Sequence, residues 1–413
     1  MQKIYRSQVK AAAEATARGG PVGGPPADGD RRSLTLLSPP QQAAALYASL
    51  MGARGGSELD RGEIEVAGVR RSYWLARAPR QDGQPPPLLI ALHGSGMDGR
   101  GMAWFTGLAR RGPAAGITTV FPDGWKGAWH PLRPPDGELD LDDARFLAEL
   151  ANHVERLGAA RSWPVFLTGI SQGARYAEHV ARNGLLPVTG LFLVAGTALE
   201  ASRRAVPVPQ LRASMILVMG TSDPTSPYDG GRLTRRGLTG HVLKRRAVKH
   251  GEQPGEDLVA GAEELVADWA AGNGISVGGI TVTGSIARPV IEELPTAPGD
   301  LPVTRKTWTR QGCHPATLYR IDGGGHGWPG GPQFMPSRMI GPIPRHLDAT
   351  GLLLDMAERE MALVLGYPAL GRAEPSPRTD PVIPGAKPVV PPQGGPPWPP
   401  AEKPDAAGQT AGS

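Results

Sequence analysis

Between Leu88 and Ile321 the chain alternates short apolar runs with stretches of helical period, and nothing else in it limits the fold so strongly. The runs are Leu88–Leu92, Ile117–Phe121, Val165–Thr168, Leu191–Ala195, Met215–Met219 and Ala316–Ile321. Strands covered on both faces read this way, because neither face has to be polar. In DARFLAELANHVERLG, Phe146, Leu147, Leu150, Val154 and Leu157 share one face at a 3.6 period. In EDLVAGAEELVADWAAGNG, Leu258, Ala262, Leu265, Val266 and Trp269 do the same, and Gly272-Asn273-Gly274 supplies a stop. Ahead of these, EIEVAGVRRSYWLA (Glu63 to Ala76) alternates as two strands about a turn at Ala67-Gly68. An antiparallel hairpin followed by alternating strands and helices predicts an α/β fold, a three-layer sandwich around a mostly parallel sheet.

The two ends differ from this middle. Residues 1–58 are rich in Ala, Gly and Pro and predict a flexible arm, with one short helix from Gln41 to Met51 after Ser38-Pro39-Pro40. Residues 371–413, with PPQGGPPWPP, cannot bury enough apolar surface to offset their ordering entropy, which predicts a disordered tail. A polyproline ligand for a partner is the alternative reading of that tail. One unit, 59–370, is left between them. Within it, 232–304 is expected to be partly lid or insertion, in the stretches Arg232–Gly255 and Gly284–Thr304.

Composition excludes several function classes. The formal net charge is +5 over 413 residues, a small excess spread along the chain. Its densest part, Arg232 to Lys249, reads as a solvated loop, so no nucleic-acid partner is expected. Cys313 is the single cysteine, so neither an internal disulfide nor a cysteine metal site can form. No apolar stretch is long enough for a membrane span. MQKIYRSQVKAAAEATARGG has no apolar segment of the kind a secretory signal needs, which predicts a cytoplasmic protein.

Chemistry is sought at the carboxyl ends of the strands, where open α/β sheets form their sites. His93-Gly94-Ser95-Gly96 follows the first run. Gly169-Ile170-Ser171-Gln172-Gly173 follows the third, Gly220-Thr221-Ser222-Asp223-Pro224 the fifth, and Asp322-Gly323-Gly324-Gly325-His326-Gly327 the last. A serine, a carboxylate and a histidine in that order are the components of a nucleophile elbow with its acid and base. Ser171 is a poor nucleophile until His326 takes its proton. Asp223 would fix the imidazole tautomer and stabilise the imidazolium. The backbone N–H groups of Gln172 and Ser95 are the candidate oxyanion donors, one of which is typically worth about 3 kcal/mol in the barrier. Each residue also has a plainer reading: Ser171 and Asp223 as turn formers, His326 as a structural histidine. His130, His179, His241, His250, His314 and His346 have no comparable context.

PLLIALHGSG, FPDGWKGAWH, DLDDARFL, GISQGARYA, GTSDPTSPYDGG and GGGHGWPGG occur in this order. Together they resemble the poly(3-hydroxybutyrate) depolymerase and feruloyl-esterase-like family of α/β hydrolases. The resemblance covers about Gly62 to Gly331 and a last helix to Tyr367. It implies ester hydrolysis by Ser171, Asp223 and His326, with no metal and no cofactor, on a small-molecule or polymeric ester. Relatives of this kind are often secreted. Where some members carry cysteines this chain has Ser95 and Ile275, so it lacks any such bridge, and the serine box ends in Gly173-Ala174 where many have two glycines. No separate polymer-binding domain is visible, which lowers the expectation of activity on solid polymer.

Trp125, Trp129 and Trp328 lie in loops next to these motifs, and with His93 they are the candidates for substrate contact, Trp328 foremost as a rim residue. Core packing is the competing role for Trp125 and Trp129, and loop anchoring for His93. Asp142 and Asp143 are expected to cap the helix that follows them. Feruloyl, acetyl-sugar and hydroxyalkanoate esters stay unranked, as does the oligomeric state. A peptidase or acyltransferase on the same residues, and a granule-associated or other binding protein with a decayed site, are the alternatives.

Overall fold

The computed structural model describes residues 59–81, 83–130, 142–161, 163–205, 212–233, 258–275 and 288–365. The arm helix at Gln41–Met51, the tail from 371 and most of Arg232–Gly255 lie outside them.

The sheet begins with β1 (Asp60–Val66) and β2 (Val69–Ala76), antiparallel in register from Asp60 opposite Leu75 to Val66 opposite Val69. Ala67 and Gly68 both have positive φ, 49° and 76°, as a tight two-residue hairpin requires. There follow β3 (Leu88–Leu92), β4 (Thr118–Pro122), β5 (Val165–Ile170), β6 (Gly190–Val194) and β7 (Ser214–Gly220). A two-stranded ribbon, β8 (Gly231–Arg232) with β9 (Leu258–Val259), stands apart from the sheet. The sheet resumes with β10 (Val290–Glu293), β11 (Val303–Trp308) and β12 (Ala316–Ile321). Its order is β1-β2-β4-β3-β5-β6-β7-β12-β11-β10. From β4 through β12 all neighbours are parallel, and the flanking strands are antiparallel.

Helices cover both faces. They are α1 (Gly99–Phe105), α2 (Leu108–Ala114), α3 (Asp143–Arg156), α4 (Gln172–Arg182), α5 (Glu200–Ala205), α6 (Ala262–Gly272), the short α7 (Ser337–Ile340) and α8 (Ala349–Leu365). Successive strand residues point to opposite faces. Leu88, Ile90 and Leu92 therefore join Phe146, Ala177, Leu265 and Trp269 in one apolar core. Leu89 and Ala91 join Met102, Leu108, Leu353 and Met356 in the other. Every residue of β3, β4, β5, β6 and β7 is buried, which is why their sequences read as unbroken apolar runs. This is the α/β-hydrolase fold, with β10 and β11 added beyond β12.

Several expectations need correcting. Leu258 belongs to β9, because Arg232 pairs with it; α6 starts only after Gly261, and its buried face runs from Ala262 to Trp269. Leu157 caps the end of α3 and is exposed. Asp142 does cap α3, accepting from the Arg145 N–H at 2.9 Å. Asp143 does not: it is fully buried and pairs with the equally buried Arg71 at 2.5 Å. The described part of Gly284–Thr304 fits the insertion reading. It holds β10 and leads into β11, extending the sheet edge.

Candidate active site

The chain reverses its lateral direction at β3, which has β4 on one side and β5 on the other. Such a switch point opens a crevice at the carboxyl ends of the strands. His93-Gly94-Ser95 leaves β3 there, and Ser171 leaves β5. Asp223 and His326 follow β7 and β12, further along the same edge of the parallel sheet.

Ser171 has φ 57° and ψ −119°, a conformation that costs a non-glycine residue about 1–3 kcal/mol. Its surroundings enforce this. The Ser171 N–H donates to the Val194 carbonyl at 2.9 Å, and its own carbonyl accepts the first turn of α4 from Arg175 N–H at 3.1 Å. A Cβ on Gly173 would lie 2.4 Å from the Leu92 carbonyl oxygen, so only glycine lets α4 start this close to β3. Gly196, which sequence reading passed over, is as constrained: its Cβ would lie 2.4 Å from the Ser171 carbonyl oxygen. The N-terminus of α4 faces the crevice and favours negative charge there.

Asp223 divides its oxygens. Oδ1 accepts from the Thr225 and Ser226 N–H groups at 2.7 and 2.9 Å, closing the turn. Oδ2 accepts from His326 Nδ1 at 2.7 Å. One oxygen thus closes the turn while the other meets the imidazole. A carboxylate only accepts, so Nδ1 carries a proton, and in the neutral imidazole Nε2 presents its lone pair. The Asp223 side chain is fully buried and that of His326 is 11% exposed, so this bond meets little competition from water. The His326 segment is held by backbone bonds, Gly325 N–H to Pro342 at 2.8 Å and His326 N–H to Ile340 at 2.5 Å. Arg175 donates to Ser226 Oγ at 3.2 Å, linking α4 to the Asp223 turn.

The oxyanion candidates are the N–H of Ser95, in the turn after β3, and the N–H of Gln172, at the start of α4. Gly94 to Met97 form a turn closed by Met97 N–H to the Gly94 carbonyl at 3.2 Å, with Gly96 at φ 79°. Gly96 N–H donates to Gly127 at 2.8 Å, while Ser95 N–H meets no backbone carbonyl among the described residues. The Gln172 side chain, missed by sequence reading, accepts from Ser95 Oγ at 3.0 Å.

Three of the substrate candidates are buried, which for Trp129 and His93 is the packing and loop-anchoring alternative and for Trp328 overturns the rim role. Trp328 is 1% exposed and belongs to the core, beside Phe192, with its indole N–H on Thr350 Oγ1 at 2.9 Å. It is not a rim residue. Trp129 is equally buried, stacked on Tyr176 and donating to the His93 carbonyl at 2.9 Å. His93 is fully buried too. Its Nε2 accepts from Gly124 N–H at 2.9 Å, so its Nδ1 carries the proton and faces the Gly94 carbonyl at 2.8 Å. Burial holds this imidazole below the ordinary histidine range, as a loop anchor that stays neutral. Of the four, only Trp125 keeps a partly exposed face. Asp123 sits under the same loop; burial raises its carboxyl although Ser72 Oγ and Gly99 N–H donate to it at 2.6 and 2.7 Å. Among the described residues no three His, Cys, Asp or Glu side chains are grouped as a metal would need, and no helix is long and apolar enough to cross a membrane.

No family model matches the chain. A curated relative, "Putative esterase NocK" of Nocardia uniformis subsp. tsuyamanensis, is 28% identical over 305 residues, covering 71% of this chain and 80% of its own. Among solved structures, acetyl xylan esterase from Aspergillus awamori superposes with a TM-score of 0.42 at 13% identity, over 72% of this chain and 99% of that one. An S-formylglutathione hydrolase from Agrobacterium tumefaciens gives 0.34 at 14% identity, over 48% of this chain and 84% of its own. Superpositions this loose leave the fold assignment to the strand order itself. The chain folds as an α/β hydrolase and is similar over most of its length to a protein described as an esterase.

Proposed function

We propose that the chain is a serine esterase that hydrolyses carboxylic esters through an acyl-enzyme, in the manner of the polyhydroxybutyrate depolymerases and feruloyl esterases its motifs resemble. The observation that carries this reading is the 2.7 Å bond from His326 Nδ1 to Asp223, which supports a base role for Nε2 on the sheet edge that presents Ser171. His326 Nε2 takes the Ser171 hydroxyl proton as Oγ attacks the ester carbonyl. The carbonyl oxygen becomes an oxyanion, held by the N–H groups of Ser95 and Gln172. Collapse breaks the ester C–O bond, and His326 gives its proton to the leaving alcohol. Water then attacks the acyl-enzyme as His326 takes its proton, the acid leaves, and Ser171 Oγ is protonated again. Asp223 stays ionised throughout and stabilises the imidazolium.

The catalytic unit is 59–370 in this reading, and Trp125 is the aromatic that meets substrate. The test is turnover of p-nitrophenyl butyrate by Ser171→Ala with its fold checked by circular dichroism. Turnover should fall by at least about a thousandfold. Undiminished turnover in a folded variant overturns the reading. A wild-type chain inert to short esters and to phosphonates would favour a binding protein with a decayed site. Faster cleavage of peptides than of esters would favour a peptidase.

A further inference from the structure

We infer that the side chain of Gln172 is a positioning group that sets the two oxyanion donors against each other; this rests on the esterase reading above. Gln172 opens α4 directly after Ser171, and its amide turns away from the helix to meet the loop at Trp129. Trp129 N–H donates to Oε1 at 3.3 Å, and Nε2 donates to the Trp129 carbonyl at 3.1 Å. The pair resembles one rung of an antiparallel ladder, and it permits one amide orientation only, since a flipped amide would oppose donor to donor and acceptor to acceptor. Oε1 also accepts from Ser95 Oγ at 3.0 Å. One amide thus joins the residue after the nucleophile to both neighbouring turns.

Those turns are tied to each other independently. Gly96 N–H donates to the Gly127 carbonyl, and Trp129 Nε1 donates to the His93 carbonyl. Close packing of Gly173 on the Leu92 and His93 carbonyls sets the start of α4 against the end of β3, and the Ser95–Gln172 bond extends that hold to the Ser95 turn itself. The two donors proposed for the oxyanion are the backbone N–H groups of these same two residues. Binding of the ground-state ester does not need both at their final spacing, but the tetrahedral oxygen does.

Gln172→Glu tests this with almost no change of volume. It places a carboxylate oxygen against the Trp129 carbonyl, where Nε2 now donates. On p-nitrophenyl butyrate, kcat should fall about 10- to 100-fold, the scale of a misplaced reacting group, while KM moves less than about threefold. The Ki of phenylboronic acid, whose tetrahedral adduct puts an oxygen at the oxyanion position, should rise by the same factor as kcat falls. Gln172→Met is the second variant, used if the glutamate chain does not fold, with the same expected outcome. A folded variant with wild-type kcat and boronate Ki, or one with a lowered Tm and nothing else, overturns the inference. Ser171→Ala keeps the two readings apart. If it still turns over, the esterase reading fails; if it is dead while Gln172→Glu is fully active, only the role of Gln172 fails.

Discussion

At the scale of single residues, the site is made by atoms that have no room to be elsewhere. Gly196 is one such case, because a methyl there would meet the Ser171 carbonyl at 2.4 Å. Gly196→Ala should displace the elbow, lowering unfolding free energy by about 1–3 kcal/mol and reducing kcat. Urea titration and ester turnover together check this, and a variant unchanged in both contradicts it. His93 makes a prediction of a different kind. Its pKa is lowered in the fold, so the unfolded chain, with an ordinary value near 6.5, binds more protons below that pH. Stability is therefore full above about pH 6.5 and is lost as pH falls toward the folded value, by up to about 1.4 kcal/mol per pH unit for each such group. His93→Gln should flatten that acid slope when unfolding is measured between pH 7 and 5, although lowered His153 and His179 keep their own share. An unaltered slope would contradict it. The residues of the elbow, acid and base motifs were legible because their chemistry requires particular side chains at strand ends. The burial of Trp328 was not. A loop sequence does not say which way an indole points, and the Trp328 partner, Thr350, lies on α8.

At the scale of elements, α4 carries an oddity. Glu178 and Arg182, one turn apart, are both wholly buried and paired, and neither guanidinium Nη has a hydrogen-bond partner among the described residues. Burial raises the Glu178 carboxyl against the pull of Arg182. Arg182→Met alone leaves an uncompensated acid and should cost about 3–5 kcal/mol, whereas Glu178→Leu with Arg182→Met should be neutral or stabilising by about 1–4 kcal/mol. Chemical denaturation of both variants checks the sign, and a double variant as unstable as the single one contradicts it. Strands buried on both faces were readable as apolar runs. β11 (VTRKTW) was not, because its middle residues are only half-buried and include Arg305 and Lys306. Leu258 was misread because its spacing fits a helix face, while the pairing with Arg232 that makes it a strand is distant in sequence.

At the scale of the molecule, the His326 segment depends on clamps from other parts of the chain. Asp300, in the turn between β10 and β11, accepts from Arg345 and His346 N–H and from Leu301 N–H. Partial burial works against its ionisation, but the His346 side chain and these N–H groups outweigh it and hold the carboxyl at about 2. A lowered carboxylate gives stability above its unfolded value near 3.8 and loses it as pH falls through the folded one. Asp300→Asn should therefore lower Tm at pH 7, and the gap should close between pH 4 and 2; a gap independent of pH contradicts this. α8 is fastened in the same spirit, by Arg111 on Asp348 at 2.7 and 2.6 Å and by Glu360, which Ser214 and His314 both meet. The layered architecture could be read from the alternation of the sequence. These long-range clamps could not, since each joins residues that no local pattern relates. In the proposed mechanism Ser171 is the nucleophile and His326 activates it. Reaction with a fluorophosphonate, followed by peptide mass mapping, tests it most directly. The expected result is a phosphonyl adduct on Ser171 that forms far more slowly in His326→Ala; an adduct on another residue, or equal labelling without His326, would rule the mechanism out.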